Sequence, residues 1–178
     1  LFETIAIIIA VLLVVIIAVL ILAAMKPDAF RVERAATIKA AAEAIFPLIN
    51  DFHNWGAWSP WEKLDSAMKK THSGAANGKG AVYEWEGNKK VGKGRMEITE
   101  SSPSSRVTIK LDFFQPFEAH NTAQFTLEAQ GDGTSVTWSM DGRQPFFLKV
   151  MGLFFSMDKM IGKDFETGLA NLKNLTEK

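Results

Sequence analysis

The chain has no cysteine, one tyrosine and three histidines, and its 20 basic and 20 acidic residues cancel. Each shortage closes a class of function. Without thiols there are no disulfides and no thiolate metal sites, although this does not choose a compartment. His53, His72 and His120 stand far apart, with no H-x-x-x-H spacing and no neighbouring carboxylate cluster, so neither a metal site nor a cofactor is expected. A net charge of zero with both signs interspersed offers no basic face for phosphates, so nucleic acid is not an expected partner. No Ser-His-Asp set is present. The glycine-rich "GAANGKG" has no Ser or Thr after Lys79 and leads into a strand, so it reads as a hairpin turn rather than a phosphate loop.

Apolar residues, by contrast, are concentrated. From Ile5 to Met25, "IAIIIAVLLVVIIAVLILAAM", no charged or polar side chain occurs. At about 1.5 Å of rise per residue such a helix spans roughly 30 Å, the thickness of a bilayer's hydrocarbon core. The competing reading is a cleaved signal peptide, with Ala23 and Ala24 at the cleavage site. The run exceeds the usual apolar region of about 7–15 residues and no basic residue precedes it. We therefore expect residues 1–25 to be a retained transmembrane anchor, with the membrane as partner through residues 5–25, and residues 26–29 to be a linker. Lys26, Arg31, Arg34 and Lys39 follow the span and Glu3 precedes it, which favours a cytoplasmic domain on a single-pass membrane protein. The chain begins at Leu rather than Met, and a basic leader ahead of it would reverse that orientation.

Pro27 should end the first helix. "FRVERAATI" then alternates Phe30 and Val32 with Arg31 and Glu33, as a strand does. "KAAAEAIFPLIND" sets Ala41, Ala44, Ile45, Leu48 and Ile49 on one helical face, and Pro47 is expected to kink that helix or stop it early. From Met68 onward the pattern is of strands separated by turns such as Ser101-Ser102-Pro103, Gln115-Pro116 and Gly131-Asp132-Gly133. Val107, Ile109, Leu111 and Phe113 share one face of their strand; so do Val136, Trp138 and Met140. This is a curved antiparallel sheet with one buried side. From Pro145 to the end a long helix is expected, with Phe154, Met157, Ile161, Phe165, Leu169, Leu172 and Leu175 on one face. A sheet with one apolar side and a helix to cover it make a two-layer α+β domain over residues 30–178.

Two segments need more than this outline. "LINDFHNWGAWSPWEKLD" places Trp55, Trp58 and Trp61 three residues apart, with Gly56 and Pro60 breaking any continuous helix. It is either a packed corner or a ligand-contacting lid, because tryptophan brings a large apolar area and an N–H that needs a partner. "PFFLKVMGLFFSMDKM" is apolar nearly all round. Core on both sides, a cavity wall, or contact with the bilayer would each account for it.

The order strand, two short helices, six strands and long terminal helix, with "AEAIFPLINDFHNWGAWSPWEKLD", "GAVYEWEGNKKVGKGRMEITE", "KLDFFQPFEAHNTAQFTLE" and "VTWSM", resembles the polyketide cyclase/dehydrase and lipid-transport proteins. These belong to the START/Bet v 1-like (SRPBCC) superfamily, and the resemblance runs from about Phe30 to Leu175. Pro47 and Ala41-Ala42 depart from the family's pattern. The resemblance implies a helix-grip fold, a sheet wrapped around the long helix with an apolar cavity between them. It also implies a hydrophobic ligand, and fold alone does not fix function.

The ligand-binding candidates are Trp55, Trp58, Trp61, Tyr83, Trp85, Met96, Ile98, Leu111, Phe113, Phe125, Trp138, Phe154, Met157 and Ile161. Cavity and core walls use the same residue types. The expected function is membrane-anchored binding or transport of a hydrophobic small molecule or lipid. A cyclase- or dehydratase-like enzyme would need an ionisable group with a partner facing the cavity. Tyr83, Glu84, Arg95, Asp112 and Arg143 are the candidates, although Glu84, Arg95 and Asp112 read as solvent-side strand residues. His120 is a polar orienting group if its face is the cavity face, and exposed if it is not. A protein-interaction domain would have its cavity filled.

Overall fold

A computed structural model describes residues 2–177. Helix α1 (Phe2–Ala24) leads through a short connector to β1 (Ala29–Ile38). Helix α2 (Ala42–Asn50) and two 3-10 turns (Phe52–Ala57 and Pro60–Lys63) follow. Six strands come next: β2 (Lys69–Gly74), β3 (Ala81–Glu86), β4 (Lys93–Ser102), β5 (Arg106–Gln115), β6 (Ala119–Gln130) and β7 (Gly133–Arg143). Helices α3 (Phe146–Met151) and α4 (Met157–Thr176) close the chain. Among the described residues α1 is the one helix long and apolar enough to cross a membrane.

The seven strands make one antiparallel sheet in the order β1-β7-β6-β5-β4-β3-β2. Strands β1 and β2 are consecutive in sequence but occupy opposite edges. At about 4.8 Å per strand spacing, the chain between them must cross roughly 29 Å. It does so over the apolar face, carrying α2 and the tryptophan segment with it. The same face receives α4, whose Phe165, Leu169 and Leu172 are buried against Trp138 and its neighbours. This is the helix-grip α+β architecture that the sequence implies.

Register assigns each strand residue to a face. One cross-strand row on the inner face runs His72, Tyr83, Met96, Leu111, Asn121, Gly142 and Phe30. Its neighbour on the outer face runs Thr71, Glu84, Arg95, Asp112 and His120.

Of the two outcomes expected at Pro47, a kink or an early stop, the stop does not occur, since α2 continues to Asn50 with Ile45 and Ile49 fully buried on either side of the proline. A helix leaves its last four carbonyls without intrahelical partners. Here all four are satisfied. Asn54 Nδ2 donates to Pro47 O (3.0 Å), Trp58 Nε1 to Leu48 O (2.9 Å), Trp55 Nε1 to Ile49 O (3.0 Å) and the Gly78 amide to Asn50 O (2.8 Å).

The long helix expected from Pro145 is also interrupted. Helix α3 ends at Met151, and α4 begins only at Met157, where Ser156 Oγ accepts from the Lys159 amide at 3.2 Å. The break is held from outside: Lys26 donates to the Gly152 carbonyl and Lys149 pairs with Asp28, so the linker grips both α3 and its C-cap. Phe154 therefore sits in the turn, 67% exposed, and not on the inward face of a continuous helix.

Polar contacts fasten helix α4 to β1 at both ends: Lys173 Nζ donates to the Thr37 carbonyl at 3.1 Å near the C-terminal end, and Arg34 holds the N-terminal half. Arg34 projects from the inner face and straddles Gly162. Its guanidinium reaches Asp158 (3.0 Å from each of two nitrogens) and Glu166 (2.8 Å), which lie one turn to either side. A Cβ on Gly162 would fall 2.0 Å from an Arg34 nitrogen, so glycine is what lets the arginine pass.

Candidate functional site

Trp55 and Trp58 are buried with their indole N–H groups spent on α2, so they form the packed corner. Trp58 lies 4.8 Å from Trp55, 5.5 Å from Trp138 and 5.9 Å from Phe125, measured between ring centroids. Trp138 is sandwiched between Phe165 (4.1 Å, nearly parallel) and Phe125 (4.7 Å). Trp61 is half-buried and meets Trp138 and Phe165 edge-on. Such pairs add about 0.5–1.5 kcal/mol beyond area burial. Of the remaining candidates, Tyr83, Trp85, Met96, Ile98, Phe125 and Trp138 are buried in this same core. Leu111, Phe113 and Ile161 pack half-buried against it. Only Phe154 and Met157 stand apart, at an open groove.

That groove has a volume of about 380 Å³. It lies between the β1 edge (Phe30, Arg31, Val32), the linker (Lys26) and the α3–α4 turn running from Gly152 through Phe154 and Phe155 to Asp158. Its size falls within the range of small-molecule sites, about 300–1,000 Å³. Two strands in from Phe30, and outside the groove lining, the inner face carries Asn121, whose buried Oδ1 has no partner. A Cβ on Gly142 would meet that oxygen at 2.0 Å and Phe30 Cε1 at 2.6 Å, so the three residues converge. Trp138 Nε1 is the other buried side-chain polar atom without a partner among the described residues. Buried polar groups are nearly always paired, so an unpaired acceptor and donor turned to the inner face stand out.

A second, polar feature lies at the opposite edge. Tyr83, buried on the inner face, donates to Glu62 Oε1 at 2.6 Å, and Lys70 pairs with the same carboxylate. Burial, reinforced by Glu62, pushes the phenol well above its ordinary range. His53 and His72 stack there at 4.1 Å between centroids, and His53 Nδ1 lies 2.8 Å from Asp51 Oδ1. Burial and the neighbouring His53 push the His72 imidazole down. The sequence keeps these two histidines 19 positions apart, and sheet pairing with the 3-10 turn is what joins them. No group of three or more potential metal ligands occurs among the described residues.

On the outer face Glu84 is exposed and Arg95 half-buried. Asp112, expected on the solvent side, points outward yet is buried, because His120 (2.7 Å) and Lys110 (3.0 Å) close over it. Burial raises its carboxyl, and the two hydrogen-bonded cations outweigh that, leaving it below the usual carboxylate range. The Asp112 carboxylate in turn raises His120, which is mostly exposed. Arg143 is exposed at the end of β7.

Sequence reasoning missed Arg34, Asn121 and the Lys149–Asp28 pair. For Arg34 a signal existed in the four-residue spacing of Asp158, Gly162 and Glu166, which puts two carboxylates around a gap on one helix face. For Asn121 there was none, since a polar residue on an alternating strand announces burial only once its face is known.

The family described as polyketide cyclase / dehydrase and lipid transport matches residues 29–177, and the chain belongs to it. No curated protein sequence matches. Solved structures share the fold. A Chromobacterium violaceum protein is 15% identical, with a TM-score of 0.59, over 86% of this chain and 99% of that one. A Nitrosospira multiformis protein is 19% identical at a TM-score of 0.59, over 83% and 96%. A major latex-like protein of Panax ginseng is 13% identical at a TM-score of 0.61, over 84% and 99%.

Proposed function

We propose that residues 1–25 anchor this protein in a membrane, that residues 26–29 are a linker, and that the domain over residues 30–178 binds or carries a hydrophobic, lipid-like ligand. The observation that carries the reading is where the groove opens: beside Lys26, two residues beyond the end of α1. A ligand dissolved in the membrane would be concentrated at that mouth. Phe30, Leu153, Phe154 and Met157 supply apolar contacts, and Gln144 and Ser156 line the same groove with polar side chains. The family's lipid-transport members support the same reading. The basic residues after α1 favour a cytoplasmic domain.

The test is mass spectrometry of small molecules that co-purify with the full chain in mild detergent. A stoichiometric lipid or isoprenoid, lost from a folded Met157→Glu variant, is the expected result. A protein that is empty and takes up no lipid when challenged overturns the carrier reading.

One observation favours a second, enzymatic reading, a cyclase- or dehydratase-like reaction. Tyr83 and Glu62 are a buried, hydrogen-bonded ionisable pair on the inner face. Under that reading Tyr83→Phe abolishes turnover of a polyketide-type substrate while leaving its binding intact.

A further inference from the structure

The most unusual surface lies where α1 meets the domain. Two positions of α1 are not exposed, Val19 and Ala23, four residues apart on one helix face, and α3 packs against this helix. Helix α3 is built inside out for a water-facing element. Its one charge, Lys149, is 6% exposed and folded back onto Asp28, while Phe146 (48% exposed) and Phe147 (54%) point outward. The turn that follows adds Phe154 and Phe155, exposed at 67% and 64%. Phe117, from the β5–β6 turn, joins them with its ring 5.7 Å from that of Phe147.

Water-facing helices of a soluble domain show the opposite arrangement, charges outward and phenyls inward. Phenyl rings on three neighbouring segments, with the local lysine withdrawn, match an element lying in the interfacial layer of a bilayer. The position agrees. If α1 spans the hydrocarbon, its C-terminal end marks the edge of that layer, and α3 packs against α1 with its C-cap Gly152 tied to Lys26 just beyond that end.

We propose that α3 and the α3–α4 turn are a second membrane contact, inserted shallowly beside the anchor, and that they hold the groove mouth at headgroup depth. This rests on the reading of α1 as a membrane span. Its consequence is that a ligand enters from the leaflet, past Phe154 and Phe155, without crossing water.

Because the chain lacks cysteine, single labels can be placed at will. The full chain is reconstituted in phosphatidylcholine nanodiscs with a nitroxide at one of four substitutions: Leu12→Cys in α1, Phe147→Cys, Phe155→Cys, or Ala129→Cys near the β6–β7 turn at the far end of the sheet. All four side chains are exposed, so none removes core. Collision accessibility to oxygen, which partitions into lipid, is compared with that to a water-soluble nickel chelate. The expected result is oxygen preference at 12, a weaker oxygen preference at 147 and 155, and chelate preference at 129. If 12 lies in lipid but 147 and 155 behave like 129, the second contact is wrong and the anchor stands. Low access to both reagents at 147 and 155, with dipolar broadening between labels, means a second copy covers the patch and also overturns it. Chelate access at 12 itself overturns the anchor and the inference together.

Discussion

Trp58 donates its indole N–H to the Leu48 carbonyl at 2.9 Å, and Trp55 donates its own to the adjacent Ile49 carbonyl at 3.0 Å. The three-residue spacing matters because two consecutive free carbonyls at the end of α2 need two donors about one turn apart. The rings that bring the donors also fill the centre of the core. These two roles separate by mutation. Trp58→Phe keeps most of the ring and leaves a carbonyl unpaired, costing about 1–3 kcal/mol. Trp58→Ala removes the packing as well and costs about 3–5 kcal/mol. Urea unfolding of the two variants should rank them in that order.

Arg34 holds the first half of α4 through Asp158 and Glu166, both more than half exposed. Arg34→Ala should lower stability only modestly, since ion pairs to carboxylates that are more than half exposed are worth little. Amide exchange should speed up selectively in residues 158–162, with Leu169 and Leu172 unaffected.

Gly168 lies against Trp138, where a Cβ would meet Cζ3 at 2.7 Å. The indole cannot retreat because Phe125 and Phe165 occupy its two faces. Gly168→Ala should destabilise by about 1–2 kcal/mol, the overpacking strain exceeding the gain in helix propensity. Thermal melts check the sign. A more stable variant would mean the sandwich is looser than described.

His120 and His72 pull stability in opposite directions with pH. The folded pKa of His120 is raised by Asp112, so its contribution is fully present below the ordinary histidine value and is lost as pH rises through the raised value. The folded pKa of His72 is lowered by burial and by His53, so below the ordinary value the unfolded state binds the extra proton and stability falls, levelling once pH passes the lowered value. Asp112 adds stability above its ordinary carboxylate value that is lost as pH falls through the lowered one. His120→Ala should therefore leave stability that drops more steeply on acidification near pH 6 than in the parent. Denaturant midpoints from pH 5 to 8 test this, and an unchanged profile would refute it.

Much of the domain is visible in the order of residues. Period-two patterns such as Val107-Ile109-Leu111-Phe113 admit one structure, because a one-residue slip would turn every side chain to the wrong face. The inward stripe of α4 from Ile161 to Leu172 is equally plain. Pro47 and Gly152 misled for one reason. Local rules set the cost of a proline or the chance of continuing through a glycine, while Ile45, Ile49, Lys26 and Asp28 decide the outcome from elsewhere in the chain. For the candidate site, residue type marked Phe154 and Met157 as apolar surface to explain but could not say that they flank a groove.

The sequence by itself determined that one long apolar helix precedes an α+β domain, and which face of each strand is apolar, since these follow from local hydrophobic periodicity. Only the tertiary structure decided that Arg34 reaches α4, that His53 stacks on His72, that Asp112 is covered from outside, and that the groove opens next to Lys26. Arg34 and α4, His53 and His72, and the walls of the groove are far apart in sequence, while Asp112 and His120 are neighbours across the β5–β6 turn. In every case it is sheet order and strand register that bring the side chains together.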